Sequence, residues 1–387
     1  MPQRVAMVGV GQTQHTYRKP DINDGEMINE AARAALADAQ LTVKDIDAVL
    51  LGNMEFFEGH YLADAMLSTY SGACGRSGVK LNTGGTVGTV QVVAGCNHVA
   101  SGFFDTVMVI GWEKHDEFSA TAAMITVEDA VYDRPFFIGA ITPLAQFALD
   151  YMNRTGAQVE HGAMVRAQAS KNAARNPYAH VKTELSVEDV MKSRMVMYPL
   201  NLYMICPTSC GACAVILASE EKAKKITSKP VWVKDHITVH REGYIPLSGI
   251  EPFPSEASQT VAARKLFKRN GITKPRQEIQ VFEMYDPSAF AQLHWTEKFL
   301  LFEEGEAWRA VEKGVTSLEG EFPISPSGGV LCTNPIGASG VLRVAEAALQ
   351  IRGDAGEHQV TRVVNQALVS GWGGADWTDL FLLTKSL

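Results

Sequence analysis

Apolar runs of strand length alternate with helical stripes along this chain. In the first fifty residues, the run 5–10 precedes a stripe in which apolar residues recur from Ile28 to Ala39, and the run 47–52 follows it. Apolar residues spaced three, four and seven apart predict a helix, whereas uninterrupted apolar runs of this length predict buried strands. The alternation therefore predicts an α/β fold, in which helices cover both faces of a sheet.

Each half of the chain also contains a glycine-rich turn that leads into a helix. The first turn covers residues 83–88, and its helix ends at Gly102 before the apolar run 106–111. The second turn covers residues 327–329 and precedes an alanine-rich helix at 340–352. Because both halves share the order strand, turn, helix and strand, the sequence indicates one large duplication.

The pattern changes between the two halves. From residue 113 to 204 the apolar runs shorten, and polar helices alternate with loops that contain Pro and Tyr. We therefore predict an inserted loop or cap domain at 113–204. The N-terminal half covers 1–112 and is completed by about 205–225, and the C-terminal half covers 226–387.

The charge balance excludes some partners. Lys and Arg number 35 against 43 Asp and Glu, which gives a net charge of −8, and no basic run is longer than residues 222–225. Nucleic acid is not an expected partner, since phosphate binding relies on clustered basic residues. The apolar stretches are shorter than the roughly 20 residues that span a bilayer. We found no signal-peptide segment at the start of the sequence, so we expect a cytoplasmic protein without membrane contact.

Six cysteines without such a segment predict free thiols instead of a disulfide framework. The spacing of Cys206, Cys210 and Cys213 could bind zinc, but a second pair or a histidine at ligand spacing is missing nearby. Residues 210–217 are typical of a turn of small residues that runs into a buried strand. We therefore expect small buried side chains here and no metal site.

Four ordered landmarks resemble those of the thiolase superfamily and extend over nearly the whole chain. They are Ala-Ser-Gly-Phe-Phe-Asp at 100–105 followed by Gly-Trp-Glu at 111–113, Glu-Met-Tyr-Asp at 283–286, Gly-Gly at 328–329 followed by Thr-Asn-Pro-Ile-Gly-Ala-Ser-Gly at 333–340, and Gln-Ile-Arg-Gly at 350–353. The resemblance implies a thiolase fold with two similar βαβαβ-type halves in five layers (αβαβα) and an inserted helical loop domain.

The catalytic residues of that family are replaced in this chain. Counting back from Gly102, the family's nucleophilic cysteine falls on Gly85. The two histidines of the later motifs become Tyr285 and Asn334, and the cysteine or histidine position before the last Gly-Gly reads Ser370-Gly-Trp-Gly-Gly. The backbone N–H groups of Gly85, Thr86 and Gly88 at a helix N-terminus can still hold a thioester oxyanion.

Two residues are candidates for the missing chemistry. Cys332 lies in the loop that closes the family's active site, so it is our substitute nucleophile, the alternative being a small buried cysteine. Tyr285 either transfers a proton or only orients the substrate with its hydroxyl group. Asn334 and Ser370 complete the predicted catalytic set. Further candidates for substrate or CoA contacts are Asp286, Gly328, Gly329, Gly337, Trp372, Gly373, Arg134 and Lys171. For Arg134, Lys171 and Arg175, a solvated surface position is the alternative.

The resemblance implies coenzyme A as a substrate and no covalently bound cofactor, and it leaves three functions open. The first is unconventional thiolysis of a 3-oxoacyl-CoA with an aromatic or branched acyl group, because aromatic residues such as Phe56, Phe57, Tyr132 and Phe137 lie near the motifs. The second is retro-aldol cleavage of a 3-hydroxyacyl-CoA, and the third is non-catalytic acyl-CoA binding. Similar proteins, among them steroid side-chain aldolases and benzoylsuccinyl-CoA thiolase, work with a small zinc-ribbon and OB-fold partner. We expect such a partner and a homodimeric core.

Overall fold

The structure is a computed structural model, and it describes residues 3–59, 62–127, 130–131, 134–135, 139–240, 256–374 and 377–387. Tyr132, Phe136 and Phe137, which are among the aromatic residues near the motifs, lie outside this described part.

Strands and helices alternate in both halves, as the apolar pattern predicts. The strands in the described residues are β1 (Val5–Gln12), β2 (Ala48–Gly52), β3 (Ser77–Leu81), β4 (Thr106–Lys114), β5 (Met195–Met197), β6 (Leu200–Asn201), β7 (Cys210–Ser219), β8 (Val231–His240), β9 (Val281–Glu283), β10 (Gln366–Gly373) and β11 (Trp377–Thr384). The α-helices are α1 (Asp24–Asp38), α2 (Ala63–Ser71), α3 (Val87–Ala100), α4 (Ala120–Ile125), α5 (Ile141–Thr155), α6 (Val159–Ala174), α7 (Val187–Lys192), α8 (Glu220–Ile226), α9 (Ser258–Asn270), α10 (Pro275–Glu278), α11 (Ala289–Lys298), α12 (Ala307–Glu312), α13 (Gly329–Cys332) and α14 (Ile336–Arg352). Single 3₁₀ turns cover Val43–Asp45, Leu202–Met204 and Gly356–His358.

Nine strands are hydrogen-bonded in the order β3-β2-β4-β7-β1-β8-β11-β10-β9, and β5 and β6 form a separate ribbon. Strand β2 is parallel to β3 and β4, and β9 is parallel to β10, whereas β1 is antiparallel to both β7 and β8. The β1–β8 pairing joins the N-terminal and C-terminal strands, because β1 and β7 belong to one half and β8, β9, β10 and β11 to the other. Strand β3 is one edge of this sheet.

The helices separate the two halves into layers. Apolar side chains of α3 and α14 pack in one core together with residues of β4, β7, β10 and β11, so these two helices lie between the halves. Helix α1 packs on the other face of the N-terminal strands, and α9 and α11 pack on the other face of the C-terminal strands. This arrangement confirms the five-layer αβαβα fold.

The segment inserted between the halves packs on the C-terminal half. Tyr151 of α5 and Ala163 of α6 share one core with Phe290, Phe299 and Leu382. Strand β4 extends to Lys114, so the N-terminal half runs slightly past the predicted boundary at residue 112. No helix in the described residues is long and apolar enough to cross a membrane.

Two glycines bring α3 and α14 into contact near their N-termini. A Cβ on Gly88 would lie 2.6 Å from the Gly340 nitrogen, and a Cβ on Gly340 would lie 2.3 Å from the Thr89 nitrogen. No side chain fits at either position without backbone movement, so small residues set this close crossing. The N-terminal turns of both helices are therefore held side by side, and the cavity described next lies beside them.

Candidate active site

A cavity of about 380 Å³ lies beside the N-terminal turns of α3 and α14. Gly85 of the first glycine-rich turn lines it, together with Tyr285 just after β9 and Asn334 just before α14. Trp372 of β10 and Cys206 of the loop before β7 complete this wall. Gly85, Tyr285, Asn334 and Trp372 are predicted site residues, so the fold brings together residues from four separate segments.

Most of the remaining cavity wall is apolar. It includes Met54, Phe57, Leu144, Ile205 and Ile336. The titratable side chains among the described residues of the lining are Cys206 and Tyr285. Cavities of this size and character bind apolar parts of small molecules and orient them with a few polar groups.

Gly85, where the sequence analysis places the family's nucleophile, has no room for a side chain. A Cβ added at Gly85 would lie 2.8 Å from the backbone carbonyl oxygen of Trp372. Real Cβ atoms do not approach a backbone oxygen so closely, and a backbone carbonyl, unlike a flexible side chain, cannot simply rotate away. What the turn offers the cavity is therefore its backbone. The first turn of a helix has N–H groups without intrahelical acceptors, and the helix dipole favours negative charge there.

Asn334 is held in one orientation by hydrogen bonds on every side. Its backbone N–H donates to Ser209 Oγ at 3.0 Å, and Ser339 Oγ donates to its Oδ1 at 2.8 Å. Its Nδ2 donates to Cys206 Sγ at 3.2 Å. Because the amide oxygen is held by Ser339, the amide nitrogen is presented on the cavity side. Asn334 therefore supplies a hydrogen-bond donor where the family has a histidine, but it supplies no base.

Tyr285 brings a phenol into the cavity wall. Its backbone N–H donates to Ser370 Oγ at 3.1 Å, so Ser370 supports Tyr285 from behind. The side chain is 4% exposed, and its hydroxyl group makes no hydrogen bond to the described part of the chain. Burial raises the pKa of Tyr285 above its usual value, and the neighbourhood of Cys206 raises the pKa further. The phenol is therefore protonated at neutral pH and acts as a donor at rest.

Cys206 is a site residue that the sequence analysis missed. It lines the cavity and is partly exposed there, and burial raises the pKa of its thiol to about 12. The signal in the sequence was weak, because we assessed Cys206 only as part of a possible metal motif. A better signal is that Cys206-Pro207-Thr208 lies before the buried run of β7 and not within it.

The structure corrects the position predicted for Cys332. This thiol lies at the end of the short helix α13, is fully buried, and is not among the described residues that line the cavity. Arg166 Nη1 donates to its Sγ at 2.6 Å. Burial raises the pKa of the Cys332 thiol, although the Arg166 guanidinium acts in the opposite direction. Cys332 is thus a packed cysteine under the Asn334 loop.

Asp286, Gly328 and Gly329 build the loop that carries Asn334. The Asp286 carboxylate accepts hydrogen bonds from Val330 N at 2.7 Å and Gln292 Nε2 at 2.8 Å, and burial raises its pKa to about 6. Gly329 has φ +67°, and a Cβ there would lie 2.5 Å from the Asp286 carboxylate. Gly328, with φ +96°, has the same kind of constraint against α6. These residues position the site and do not line the cavity.

Thr86, Gly88 and Gly373 are not among the described lining residues and support the cavity from behind, whereas Trp372 lines it. Thr86 Oγ1 donates to Thr83 O at 2.9 Å, and Gly373 packs beside Thr86. Gly88 lies at the helix crossing. Trp372 is held by a ring contact with Trp295, with 4.8 Å between the ring centroids.

Glu113, which is fully buried, and Glu58, which is half-buried, form a carboxyl pair that the sequence analysis did not predict and that braces one wall of the cavity. Glu113 accepts hydrogen bonds from Met54 N at 3.1 Å and Gly337 N at 2.8 Å, which explains the position of Gly337. Glu58 accepts from Lys114 N at 2.6 Å. Burial raises the pKa of Glu58 to about 7, and burial together with Glu58 raises the pKa of Glu113 well above its usual value. The pair is therefore at least partly protonated near neutral pH.

Neither of the two basic candidates is among the described residues that line the cavity. Arg134 Nη2 donates to Thr126 O at 2.8 Å, and Lys171 is exposed on α6.

The three cysteines whose spacing could have bound zinc, Cys206, Cys210 and Cys213, do not form one cluster, since Cys213 packs in the core around α3 and α14. No group of three or more His, Cys, Asp or Glu in the described ranges has an arrangement that could hold a metal ion.

Comparison with known proteins settles the family. Residues 252–384 match the family described as thiolase C-terminal domain-like. An acetyl-CoA acetyltransferase from Methanothermobacter thermautotrophicus is 32% identical over 361 residues, which are 92% of this chain and 93% of that protein. The chain belongs to the thiolase superfamily.

Two further proteins are similar to almost the whole chain. The benzoylsuccinyl-CoA thiolase subunit BbsB from Thauera aromatica is 28% identical, over 97% of this chain and 96% of that protein. The solved structure of the Ltp2-ChsH2(DUF35) aldolase superposes with a TM-score of 0.82 at 23% identity, covering 99% of this chain and 98% of that chain. At this identity the likeness to the aldolase shows the fold alone.

Proposed function

We propose that this protein cleaves, or in reverse forms, the carbon–carbon bond beside the thioester of a 3-hydroxyacyl-CoA by retro-aldol chemistry. The observation that carries the proposal is the blocked Gly85 position, where a Cβ would lie 2.8 Å from Trp372 O. Thiolysis by the family's usual route needs a cysteine there to take the acyl group. Retro-aldol cleavage needs no covalent nucleophile, only a stabilised enolate and proton transfer.

The bond changes in this reaction balance without a co-reactant. The 3-hydroxyl group loses its proton and becomes the carbonyl of the released aldehyde or ketone. The bond between C2 and C3 breaks, its electron pair forms the thioester enolate, and a proton is then added to C2. Tyr285 is the group on the cavity wall suited to bind the 3-oxygen, because its hydroxyl group has no partner in the described residues. The amide nitrogen of Asn334 and the backbone at Gly85 can hold the enolate oxygen.

The acyl group that we propose is apolar and branched or ring-bearing. Met54, Phe57, Leu144 and Ile336 line the cavity, and no charged side chain lies among its described lining residues. Phe57 and Trp372 are the aromatic groups there in addition to Tyr285. Such a wall binds hydrocarbon surface and disfavours a carboxylate on the acyl group.

A second candidate function is thiolysis of a 3-oxoacyl-CoA by a relocated cysteine. The Cys206 thiol in the cavity favours it, as does the 32% identity to an acetyl-CoA acetyltransferase. Cys332, predicted as the nucleophile, would have to leave Arg166 and reach the cavity to serve this reaction. Thiolysis would require free CoA as the acyl acceptor, whereas retro-aldol cleavage would not.

We further propose a homodimer that binds a small zinc-ribbon and OB-fold partner. Strand β3 is an edge of the large sheet and lies just before the Gly85 turn, so its free edge can pair with a second copy. One relative is named as a subunit, and the aldolase is named after two proteins, which supports a hetero-oligomer here. The cytoplasm is the compartment that we propose for this acyl-CoA chemistry.

The test uses the purified chain together with any small zinc-ribbon protein that co-purifies with it. Two substrates are compared, a branched or ring-bearing 3-hydroxyacyl-CoA and the matching 3-oxoacyl-CoA. Each is supplied with and without free CoA to wild type, Tyr285→Phe and Cys332→Ala. We expect the hydroxy substrate to yield an aldehyde or ketone and a shorter acyl-CoA without free CoA. CoA-dependent cleavage of the oxo substrate alone would instead establish thiolysis, and CoA binding without turnover of either would indicate a non-catalytic subunit.

A further inference from the structure

We infer that Cys206 is the residue that transfers the proton to and from C2 of the bound acyl-CoA. This inference rests on the proposed retro-aldol function and names the second proton carrier that the reaction requires. Gly85, at the predicted nucleophile position, has no side chain to carry this proton. Cys332, the predicted substitute, is buried and is not among the described residues that line the cavity.

The backbone around Cys206 is fixed by contacts with residues 287 and 288. Its N–H donates to Pro287 O at 3.0 Å, and the preceding Ile205 forms an isolated β-bridge with Ser288. The loop before β7 is thereby tied to the segment that carries Tyr285. Cys206 and Tyr285 consequently keep their places on one cavity wall.

The thiol of Cys206 has a donor available beside the cavity. Asn334 Nδ2 donates to its Sγ at 3.2 Å, so the sulfur acts as an acceptor in that bond. No described residue accepts a hydrogen bond from the thiol itself. The S–H proton is therefore free to reach a bound molecule, and the same amide that can hold an enolate oxygen lies next to it.

A second group points to a ligand at the same place. Tyr285 is more than nine-tenths buried, lines the same cavity, and has a hydroxyl group with no hydrogen-bond partner in the described residues. A buried phenol donor without an acceptor is unfavourable, and it becomes satisfied when a bound substrate supplies an oxygen acceptor beside the Cys206 thiol.

The cavity favours an acid over a nucleophile. Burial holds the pKa of the Cys206 thiol at about 12, and no His, Lys, Asp or Glu is among the described lining residues to remove its proton. A thiol without a neighbouring base is a poor nucleophile, because the thiolate is the reactive form. It remains a competent proton donor to an enolate carbon, which is a far stronger base.

The proton transfer closes the reaction cycle without any added reagent. When the C2–C3 bond breaks, the Cys206 S–H bond breaks as well and a C2–H bond forms, which leaves a thiolate. The proton lost from the substrate's 3-hydroxyl group then returns to the sulfur through the Tyr285 hydroxyl group or water. In the synthetic direction the thiol proton first leaves through the Tyr285 hydroxyl group or water, and the resulting thiolate then removes the C2 proton.

The first test follows the exchange of the C2 hydrogens of propionyl-CoA in D₂O. This probe can form an enolate, but it has no 3-hydroxyl group, so its C2–C3 bond cannot be cleaved by retro-aldol chemistry. Wild type, Cys206→Ala, Cys206→Ser and the surface control Cys74→Ser are compared by mass spectrometry. We expect wild type and Cys74→Ser to incorporate deuterium, and both Cys206 variants to be slower by at least about 100-fold. Absence of exchange in wild type, or unchanged exchange in folded Cys206→Ala, would overturn the inference.

A parallel arm of this test separates proton transfer from acyl transfer. Propionyl-CoA is incubated with 3′-dephospho-CoA, and transfer of the propionyl group between the two thiols is measured. We expect no transfer above that of Cys206→Ala, because the proton carrier forms no acyl-enzyme. Cys206-dependent transfer would show that Cys206 is a nucleophile and would overturn its role as an acid.

The second test locates the thiol directly and does not depend on turnover. Bromoacetyl-CoA is applied to the Cys74→Ser protein, in which the exposed thiol is absent, and the labelled peptide is identified. The expected adduct is a thioether on Cys206, formed with loss of bromide and suppressed by propionyl-CoA. It should form slowly and faster at higher pH, because the thiolate is the reactive form. Labelling of Cys332 instead of Cys206 would contradict the assignment.

These outcomes distinguish the inference from the proposed function. Cleavage of a 3-hydroxyacyl-CoA without Cys206-dependent exchange would leave the retro-aldol function standing and overturn the role of Cys206. Cys206-dependent exchange without cleavage of any 3-hydroxyacyl-CoA would support the proton carrier and overturn the retro-aldol function.

Discussion

The Cβ that any larger residue would add at Gly85 lies 2.8 Å from the carbonyl oxygen of Trp372. This close approach comes from two distant segments, the turn before α3 and the end of β10. It means that the position where the resemblance places the family's cysteine has no space for a side chain. A cysteine introduced there alone is therefore not expected to supply the chemistry of the family.

The first prediction concerns Gly85→Cys and Gly85→Ala. Both should lower the free energy of unfolding by about 1–3 kcal/mol, because the backbone near Trp372 must move, and Gly85→Cys should gain no thiolysis. Urea unfolding and a thiolysis assay measure the two effects. Gly374→Ala is the matched control for stability, since a Cβ at Gly374 meets none of the described residues within 4 Å. A stable Gly85→Cys enzyme with CoA-dependent cleavage would contradict the account.

Tyr285→Phe tests the phenol without changing the shape of the cavity. We expect kcat for cleavage of the 3-hydroxyacyl-CoA to fall by at least about 100-fold, with a small change in KM, because the lost hydroxyl group acts on the developing charge at the 3-oxygen. Tyr203→Phe, an exposed position away from the described cavity lining, is the control. Equal kcat values for Tyr285→Phe and wild type would rule out a chemical role for Tyr285.

The Arg166–Cys332 contact predicts that substitutions at these two residues lower the free energy of unfolding by different amounts. Arg166 Nη1 donates to Cys332 Sγ at 2.6 Å, and Arg166 Nε has no hydrogen-bond partner among the described residues. Cys332→Ala should destabilise the protein by about 2–4 kcal/mol, because it opens a cavity and strands a buried cation. Arg166→Met should be destabilised less, since removing the cation also removes its desolvation penalty. Denaturant unfolding measures both, and the opposite order would contradict this reading.

The Glu58–Glu113 pair predicts that stability falls as the pH rises through neutrality. Burial raises the folded pKa of Glu58 to about 7 from an ordinary value of 4.5, so the folded state binds more protons than the unfolded state between these pH values. The stabilising contribution is full below about pH 4.5 and is lost as the pH rises through about 7. A difference of this size corresponds to roughly 3 kcal/mol.

Thermal unfolding of wild type and Glu58→Gln between pH 5 and 8.5 tests this pH dependence. Glu58→Gln keeps the side-chain shape and an acceptor for Lys114 N but removes one titration. We expect a flatter profile of Tm against pH in Glu58→Gln than in wild type. Parallel profiles would show that the carboxyl pair does not set the pH dependence.

Sequence patterns predicted the fold well where the signal is local. The apolar run at 5–10, the stripe from Ile28 and the alanine-rich stretch at 340–352 appear as β1, α1 and α14. These patterns work because a buried strand or an amphipathic helix has a period that its own residues display. The landmark motifs then fixed the order of the layers.

The composition of the site could be predicted only in part, because the site is made by contacts between distant segments. Gly85, Tyr285, Asn334 and Trp372 were found from motifs and do line one cavity. Cys332 lies two residues before Asn334, yet the one-turn helix α13 directs it to Arg166, a residue 166 positions earlier. Neighbours in sequence point to opposite sides of a loop, and nothing in the local pattern states which side faces the cavity.

Cys206 was missed for the same physical reason. Its role depends on the hydrogen bond from Asn334, a residue 128 positions later, and on the bridge between Ile205 and Ser288. Both contacts arise only when β7 and β9 are in place. A cysteine next to a proline outside the regular run of a strand is the sequence feature that could have drawn attention to it.

The most direct test of the central claim is the set of products formed from a ring-bearing 3-hydroxyacyl-CoA in the absence of free CoA. The account predicts equal amounts of an aldehyde or ketone and a shortened acyl-CoA, with an intact protein mass that never shows an acyl adduct. A requirement for free CoA, or an acyl group found on a cysteine during turnover, would contradict it.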